Sequence, residues 1–362
     1  MLVSDFESAR QVLESAISYV TVFTEADEKA MKATYRQLMR FVHPDRVDAA
    51  QQKLAAELVT KLGAFYQDAQ TAARVGSFGR VPADAILTSV KASHVVISEM
   101  PQFCDMTKGL RAKSDIKGLG EMDTFIKITR APRDNDLMAR EAAALTHLRD
   151  SAGSDFVMFY PELVDGFGVM NGRMRLRANV VAYLDGFLNL EELRQHRPDG
   201  LHPLDASWIW RRLLWALGGA HEISVVHGAI LPRHVMIHPR MHGVVLVDWC
   251  YSAIKTDDVY PPLSALVSDR RSWYPPGALA KQPLSERTDL MMAARVMCYL
   301  LGGDPTSLTM TSRVPDAMQR YIIDIVRGTS THSAFQLLAQ FDALLQTLGK
   351  PYYPRVYREL VL

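Results

Sequence analysis

The sequence predicts an α+β protein with a helical hairpin at its N-terminus, then a small, mostly β lobe, then a larger helical lobe. Three patterns predict this order. Apolar residues recur at helical spacing early in the chain, short strand-like apolar runs follow, and long apolar helical stretches fill the last part. We therefore divide the 362 residues into a helical segment (1–76), a linker (77–104), a β-rich lobe (105–184), a helical lobe (185–350) and a tail (351–362).

The amino-acid composition limits the kinds of partner and the cellular compartment that we expect for this protein. The 41 basic and 40 acidic residues nearly cancel, so we expect neither nucleic acid nor membrane as a partner. The longest apolar stretch, around Met291–Leu301, is too short to span a bilayer. The N-terminus has early acidic residues rather than the basic-then-apolar order of a signal peptide. Cys104, Cys250 and Cys298 are scattered without metal-ligand spacing, which predicts a reducing, cytoplasmic location.

Two amphipathic helices are predicted within the first 76 residues. Apolar residues at helical spacing predict the first helix over Glu28–Val42, and Pro44 prevents it from continuing. A second apolar face follows the short loop, and the two helices are expected to pack antiparallel. The expected buried residues are Met31, Tyr35, Leu38 and Val42 on the first helix and Leu54, Leu58, Leu62 and Phe65 on the second.

The stretch A-D-E-K-A-M-K-A-T-Y-R-Q-L-M-R-F-V-H-P-D-R resembles the J-domain of DnaJ-type cochaperones. The resemblance rests on His43-Pro44-Asp45, with a basic helix before it and an amphipathic helix after it. It implies docking on a DnaK-type chaperone: a basic stripe of Lys29, Lys32, Arg36 and Arg40 steers, and the H-P-D tip triggers ATP hydrolysis in the partner. Exposed cations do accelerate association with an acidic surface. The plainer alternative is a solvated helix face followed by a proline turn.

The β-rich lobe contains one strand with a charged residue among apolar ones. Thr124–Ile128 reads as a strand that carries Lys127, and a helix at about Asp136–Arg149 carries Glu141. The plainer alternative is a lysine whose ammonium reaches solvent and a solvated glutamate. Val180–Leu184 reads as a buried strand that ends before Asp185-Gly186. The earlier stretch Gly76–Val81 contains two glycines and could be read as a glycine-rich loop that leads into the lysine strand. It lies more than forty residues before that strand, so we assign it to the linker.

The most informative stretch is Val225–Ser252. Two apolar runs, Val235–Ile237 and Val244–Val247, flank a turn rich in His, Gly and Pro, which predicts strand–turn–strand. His227 lies in the loop before the first run. Asp248 follows the second run, where a rigid scaffold holds reactive groups.

In their order and spacing these features resemble the protein-kinase family. The resemblance implies a bilobal kinase-like fold, with ATP and Mg²⁺ as candidate ligands. Lys127 takes the place of the phosphate-anchoring lysine and Glu141 that of the glutamate paired with it. Adenine would bond to the backbone near Ala182–Leu184, and Asp248 would hold the metal. His227 takes the place of the catalytic-loop histidine.

The chain departs from the kinase pattern at the residues that perform the chemistry. Ala229 stands where the catalytic aspartate should be, and an alanine cannot accept a proton. His234 stands at the place of the metal-binding asparagine, although Mg²⁺ prefers oxygen ligands. Leu231 replaces a lysine and Cys250 a glycine. The hairpin before Lys127 has no G-x-G-x-x-G, only the late glycines Gly118 and Gly120. These losses predict a pseudokinase.

Two more comparisons with the kinase pattern and one expectation about the core concern the helical lobe. Asp289 matches the buried aspartate that holds the catalytic-loop backbone; a plain N-cap is the alternative. Gly277 stands where the end of a kinase activation segment has a glutamate. Trp208, Trp210 and Trp215 are expected in the core.

We therefore predict a J-domain cochaperone and adaptor that recruits a DnaK-type ATPase and binds a protein client through its kinase-like part. The first alternative is a divergent, active serine/threonine kinase in which Asp248 and one metal suffice. The second is a non-catalytic scaffold that binds neither nucleotide nor chaperone.

Overall fold

The computed structural model describes residues 3–16, 19–74, 78, 86–100, 106–171, 173–355 and 359–360. The chain forms two compact units. The first contains residues up to Asn135 together with Val164–Tyr183, and the second contains Asp136–Leu163 and the chain from Leu184 onward. Among the described residues, no helix combines the length and apolar character needed to cross a membrane.

The first unit begins with helices α1 (Phe6–Ser15), α2 (Tyr19–Val22), α3 (Glu28–Val42) and α4 (Gln52–Arg74). The predicted bounds of α3 are confirmed. Asp27 begins this helix by accepting a hydrogen bond from the N–H of Ala30, and Pro44 follows its C-cap. The predicted apolar faces meet in one core, in which Tyr35, Leu54 and Phe65 are only partly buried.

A six-stranded sheet completes the first unit. Its strands are β1 (Ile86–Thr88), β2 (Ala92–Glu99), β3 (Thr107–Ile116), β4 (Gly120–Thr129), β5 (Leu163–Asn171) and β6 (Met174–Ala182), in the order β1-β2-β3-β4-β6-β5. One face carries a compact apolar core that includes Ile126, Ala178 and Val180, each fully buried.

The predicted linker over 77–104 is wrong in its second half, because β1 and β2 lie there. In β2 the side chains of Ala92, His94 and Val96 are buried in alternation, which is the pattern of a strand with one face on a core. The β-rich region therefore begins near residue 86 rather than at 105. Of Gly76–Val81, only Phe78 is among the described residues.

The sheet is curled, because side chains join strands from its two ends. β5 is the last strand in the order and the β1–β2 turn lies at the other end. Yet the Asp165 carboxylate of β5 accepts a hydrogen bond from Ser89 Oγ at 2.5 Å and lies 3.4 Å from His94 Nε2. The face turned inward by this curl is the apolar core.

The second unit is mainly helical. Its helices are α5 (Asn135–Ser151, whose first residue belongs to the first unit), α6 (Leu190–His196), α7 (Pro203–Glu222), α8 (Pro276–Leu279), α9 (Glu286–Leu300), α10 (Asp316–Val326) and α11 (Ala334–Leu348). Its short strands are β7 (Leu188–Asn189), β8 (Val225–Val226), β9 (Val235–His238), β10 (Gly243–Leu246) and β11 (Ala253–Ile254). The strand–turn–strand prediction is confirmed, since β9 and β10 pair antiparallel. Of the three tryptophans expected in the core, Trp210 is fully buried, but Trp215 is 37% exposed.

Candidate functional site

The H-P-D residues form the exposed loop between α3 and α4. Pro44–Arg46 makes a single 3₁₀ turn, and His43 caps it, with Nδ1 accepting a hydrogen bond from the N–H of Asp45 at 3.2 Å. The Asp45 side chain is 87% exposed and that of His43 is 45% exposed. The cap fixes the direction of the imidazole, so the loop presents a carboxylate and a ring nitrogen to solvent in a defined arrangement.

A continuous basic face runs along α3 toward this loop. Lys29, Lys32, Arg36 and Arg40 are all exposed, while Met31 is buried on the other side of the same helix. A surface groove beside the stripe is lined by Tyr35, Arg36, Met39, Arg40, His43, Asp45 and Arg46. The predicted docking residues thus share one surface of one helical hairpin.

Lys127 lies in the middle of the sheet, in β4. It is 7% exposed and stands between Gly109 of β3 and Asn179 of β6. Phe125 is two residues away, so it points to the same side of the strand. Its ring packs so closely on Gly109 that a Cβ there would come within 2.7 Å of Phe125 Cζ. An aromatic ring therefore covers the sheet surface beside the lysine.

The two glycines of the hairpin before Lys127 lie at the end of the sheet that is far from this lysine. Gly118 and Gly120, both with positive φ, form the turn between β3 and β4. Lys127 is seven residues along β4 from this turn, or about 23 Å at the usual rise of a strand. The connection at its own end joins β2 to β3 and reads M-P-Q-F-C-D-M, without glycine. Residues 101–105 of it lie outside the described residues.

The other predicted nucleotide residues divide between the two units. Ala182 ends β6 in the first unit, paired with Thr124. Glu141, Leu184 and Asp248 belong to the second unit. Glu141 is only 2% exposed on α5, which excludes the alternative of a solvated glutamate.

Asp289 holds the loop that contains His227. Its carboxylate accepts hydrogen bonds from the N–H of His227 at 2.7 Å and from the N–H of Gly228 at 2.8 Å. The Nε2 atom of His221 lies 3.1 Å from the same carboxylate. The N-cap of α9 is Ser285, so the plain-cap alternative for Asp289 is wrong and the prediction of a buried, loop-holding aspartate is confirmed.

Gly228 is required by the fold of this loop. Its φ is +78°, and a Cβ at this position would lie 2.5 Å from the carbonyl oxygen of Tyr251. A side chain here would be strained in its backbone and would also clash with the backbone of Tyr251.

His227 is a structural histidine. Its ring is fully buried, and Nε2 lies 2.8 Å from the carbonyl oxygen of Val247, to which it donates. Nδ1 accepts a hydrogen bond from the N–H of Ala229 at 3.3 Å. Burial lowers the pKa of His227 to about 4, so the imidazole is neutral at pH 7. With both nitrogens engaged by backbone, it ties the loop to the segment after β10.

Ala229, at the position that the kinase resemblance gives to the proton acceptor, is fully buried. His234 Nδ1 lies 2.7 Å from the Ala229 carbonyl oxygen, so this nitrogen carries the hydrogen. Its other nitrogen, Nε2, is 3.6 Å from Asp248 Oδ2. Asp248 has a left-handed backbone, with φ 64° and ψ 48°. The loop therefore sets an imidazole against the carboxylate that the kinase resemblance gives to the metal.

This donor set does not fit Mg²⁺. The ion needs oxygen ligands in near-octahedral geometry, whereas Asp248 meets a ring nitrogen here. Within the part of the chain that the structure describes, no three His, Cys, Asp or Glu side chains are grouped so that they could hold a metal.

Sequence reasoning missed a charged network that fastens this loop to the segment after it. Arg233 pairs with Glu191 at 3.3 Å and with Asp269 at 2.7 Å, and Arg270 pairs with Glu191 at 2.7 Å. The partners are 36 to 79 residues apart, so no local pattern could reveal them. Together with Asp289, the network makes the loop rigid without supplying a base.

A second missed cluster lies inside the curled sheet. His94 Nδ1 is 2.7 Å from Ser114 Oγ, and His94 Nε2 faces Asp165 at 3.4 Å. This is the order of groups in a nucleophilic triad. However, His94 and Ser114 have no exposed surface, and the Phe167 ring stacks on the imidazole at 5.2 Å. The cluster is buried and joins strands of the sheet, and burial lowers the pKa of His94.

Comparison with models of known protein families finds no match to this chain, and comparison with curated proteins finds none either.

Proposed function

We propose that the protein is a J-domain cochaperone whose kinase-like part, with a bilobal fold, acts as an adaptor for a protein client and does not transfer phosphate efficiently. The observation that carries the proposal is the exposed His43-Pro44-Asp45 turn at the end of a basic helix. A DnaK-type ATPase is the proposed partner, and the cytoplasm is the proposed location.

The surface of α3 suits an acidic partner. Four exposed cations on one helical face raise the rate of encounter with a surface of opposite charge. The adjoining groove offers partly buried Tyr35 and Met39, which a partner would cover after encounter. The capped imidazole of His43 and the Asp45 carboxylate would then contact the ATPase in a fixed geometry.

The loop at Val225–Ser252 supports the adaptor half of the proposal. Asp289, Gly228 and the neutral His227 build a rigid loop, but its central residue is a buried alanine. Without a base, a phosphotransferase loses on the order of a hundred- to ten-thousand-fold in rate. A ring nitrogen beside Asp248 also weakens the second place for a metal, because Mg²⁺ prefers oxygen ligands.

The test of the proposal is stimulation of a DnaK-type ATPase in single turnover. The full chain should accelerate ATP hydrolysis by the chaperone, and the variant His43→Gln should lose the acceleration down to the basal rate. Lys117→Glu, a change of an exposed residue on the β3–β4 turn, is the control and should act like the wild type. Equal stimulation by His43→Gln and wild type would refute the proposal.

The active-kinase alternative is favoured by one observation, namely that Lys127, Glu141 and Asp248 are all present. It requires incorporation of label from γ-labelled ATP into protein that is lost in Asp248→Asn. ATP with Mg²⁺ as a ligand stays a prediction, which a melting measurement with and without Mg·ATP decides. The pure scaffold requires neither a melting shift nor chaperone stimulation.

A further inference from the structure

A cavity of about 490 Å³ opens at one end of the curled sheet of the first unit. Its floor is made of apolar residues that belong to the core of the sheet: Val96, Leu110, Ile128 and Leu176, each at most 8% exposed. Volumes of this order are typical of cavities that hold small organic ligands, and the mouth of a curled sheet is a common place for them.

The cavity is separate from the strand face that carries Lys127. Successive residues of a strand point to opposite faces, so Ile128 lines the cavity while Lys127 points away from it. The cavity also lies at the opposite end of the sheet from the β3–β4 turn, because Thr107 and Thr129, at this end, are paired. Nothing in the proposed chaperone or adaptor role uses it.

The rim of the cavity is polar and carries more positive than negative charge. Lys108, Arg130, Thr129 and Asn171 line it. Lys108 is paired with Glu99 at 2.9 Å, and Arg130 Nε donates to the Thr107 carbonyl oxygen at 3.3 Å. Both cations have further N–H donors that can reach a ligand. The adjoining β5–β6 hairpin adds two more exposed arginines, Arg173 and Arg175.

An apolar floor below a cationic rim matches a ligand with an apolar chain and one anionic head. We propose that this cavity binds a free medium-chain fatty acid, with the chain on the Leu110 and Leu176 floor and the carboxylate between Lys108 and Arg130. A carboxylate accepts hydrogen bonds from both side chains and also offsets their positive charge, whereas a neutral head group lacks this ionic attraction.

The placement of the apolar surface favours this ligand over a peptide or a membrane. The apolar area lies inside the concavity, on side chains that are more than nine-tenths buried, where a thin acyl chain can reach it. Met170 lines the edge of the cavity and is exposed, as is Met174 on the same hairpin, and arginines lie between and beside these two residues in the sequence.

The experiment is a calorimetric titration of the full chain with decanoate below its micelle concentration. Saturable one-to-one binding is expected. Octanoate should bind more weakly by roughly fifteenfold, since each methylene removed from water contributes about fourfold. Decanol should bind about tenfold more weakly or worse, because it lacks the charge that the rim recognises.

Two variants locate the site. Lys108→Gln/Arg130→Gln alters only the rim and should weaken decanoate to the level of decanol. Lys113→Gln, on the same strand but paired with Glu121 at the far end of the sheet, should bind like the wild type. Urea unfolding of each variant checks that the fold is unchanged.

Several results would overturn the assignment. These are no saturable binding of decanoate, equal binding of decanol and decanoate, or undiminished binding by Lys108→Gln/Arg130→Gln. Binding of an acidic-apolar peptide or of anionic vesicles that decanoate does not displace would assign the surface to another partner and would also reject the proposal. Each readout is independent of chaperone stimulation, so it can fail while the proposed function holds.

Discussion

The α3–α4 loop and the Val225–Ser252 loop each resemble, in sequence, a motif of a known family, but they present their side chains in opposite ways. In the first, His43 and Asp45 are exposed and the motif is complete. In the second, His227, Ala229 and Asp289 are fully buried, and the motif lacks the residue that would act on a substrate. The comparison teaches that buried residues hold the conformation of a loop, whereas exposed residues are the ones that can contact a partner. A change in the second loop should therefore affect stability, and a change in the first should affect partner binding.

The largest expected effect on stability is at Asp289. Asp289→Ala leaves the N–H groups of His227 and Gly228 buried without acceptors, and each such group costs about 1–3 kcal/mol. We expect the free energy of unfolding to fall by about 3–5 kcal/mol in urea titrations followed by tryptophan fluorescence.

The matched control is Asp316→Ala, which removes an exposed carboxylate from the first turn of α10 and should cost less than about 1 kcal/mol. If Asp289→Ala were as stable as this control, the loop would not depend on the buried carboxylate, and the contrast between the two loops would fail.

The next effect is a pH dependence that originates in His227. Its pKa is about 4 in the fold and near 6.5 when unfolded, so the unfolded chain binds the proton more tightly. Stability should therefore be full above about pH 7 and should fall as the pH drops from about 6.5 toward 4, by about 2 kcal/mol between pH 7.5 and 5. The lowered pKa of His94 acts in the same direction in the first unit.

Urea titrations at the two pH values measure this dependence. His227→Gln should be less stable than the wild type at pH 7.5 but should lose about 2 kcal/mol less on acidification. His196→Gln, a change of an exposed residue in the last turn of α6, should keep the wild-type loss. The same pH slope in His227→Gln as in the wild type would mean that this ring is not the neutral, buried group described above.

The smallest effect concerns the basic stripe, where binding should change and stability should not. Arg36→Glu/Arg40→Glu should slow association with the DnaK-type chaperone about tenfold at low salt, and less at high salt, because surface charges are screened. Lys91→Glu/Lys117→Glu makes the same change in net charge on two exposed turns of the sheet and should leave the association rate near the wild-type value. Equal slowing by both pairs, in stopped-flow measurements, would mean that net charge rather than the stripe matters.

Local sequence patterns predict much of the fold. The bounds of α3 follow from one apolar stripe and one proline, and β9 and β10 follow from two apolar runs around a turn. β1 and β2 were missed because the short runs around His94 have polar residues on the inward face, where they form the buried cluster with Ser114 and Asp165. Such a cluster exists only through the curl of the sheet, which no short window of sequence contains.

The sequence predicts a candidate site well when its residues are close together in the chain, and poorly when they are distant. The H-P-D turn is local, so the sequence located all of its residues. The role of Asp289 was open in the sequence, because an aspartate early in a helix also suits a cap, and only the contacts with His227 and Gly228 decide it. Phe125 over Gly109 and the ion pairs of Arg233 join distant residues, so they became visible only in the fold.

The most direct test of the central claim follows one label in one reaction. The full chain is mixed with a DnaK-type chaperone and γ-labelled ATP, and the label is counted in inorganic phosphate and in protein. An intact H-P-D loop, combined with a second loop that lacks a base, predicts faster release of labelled phosphate than with the chaperone alone, and no label in protein. Label transferred to protein, without faster release of phosphate, would contradict it.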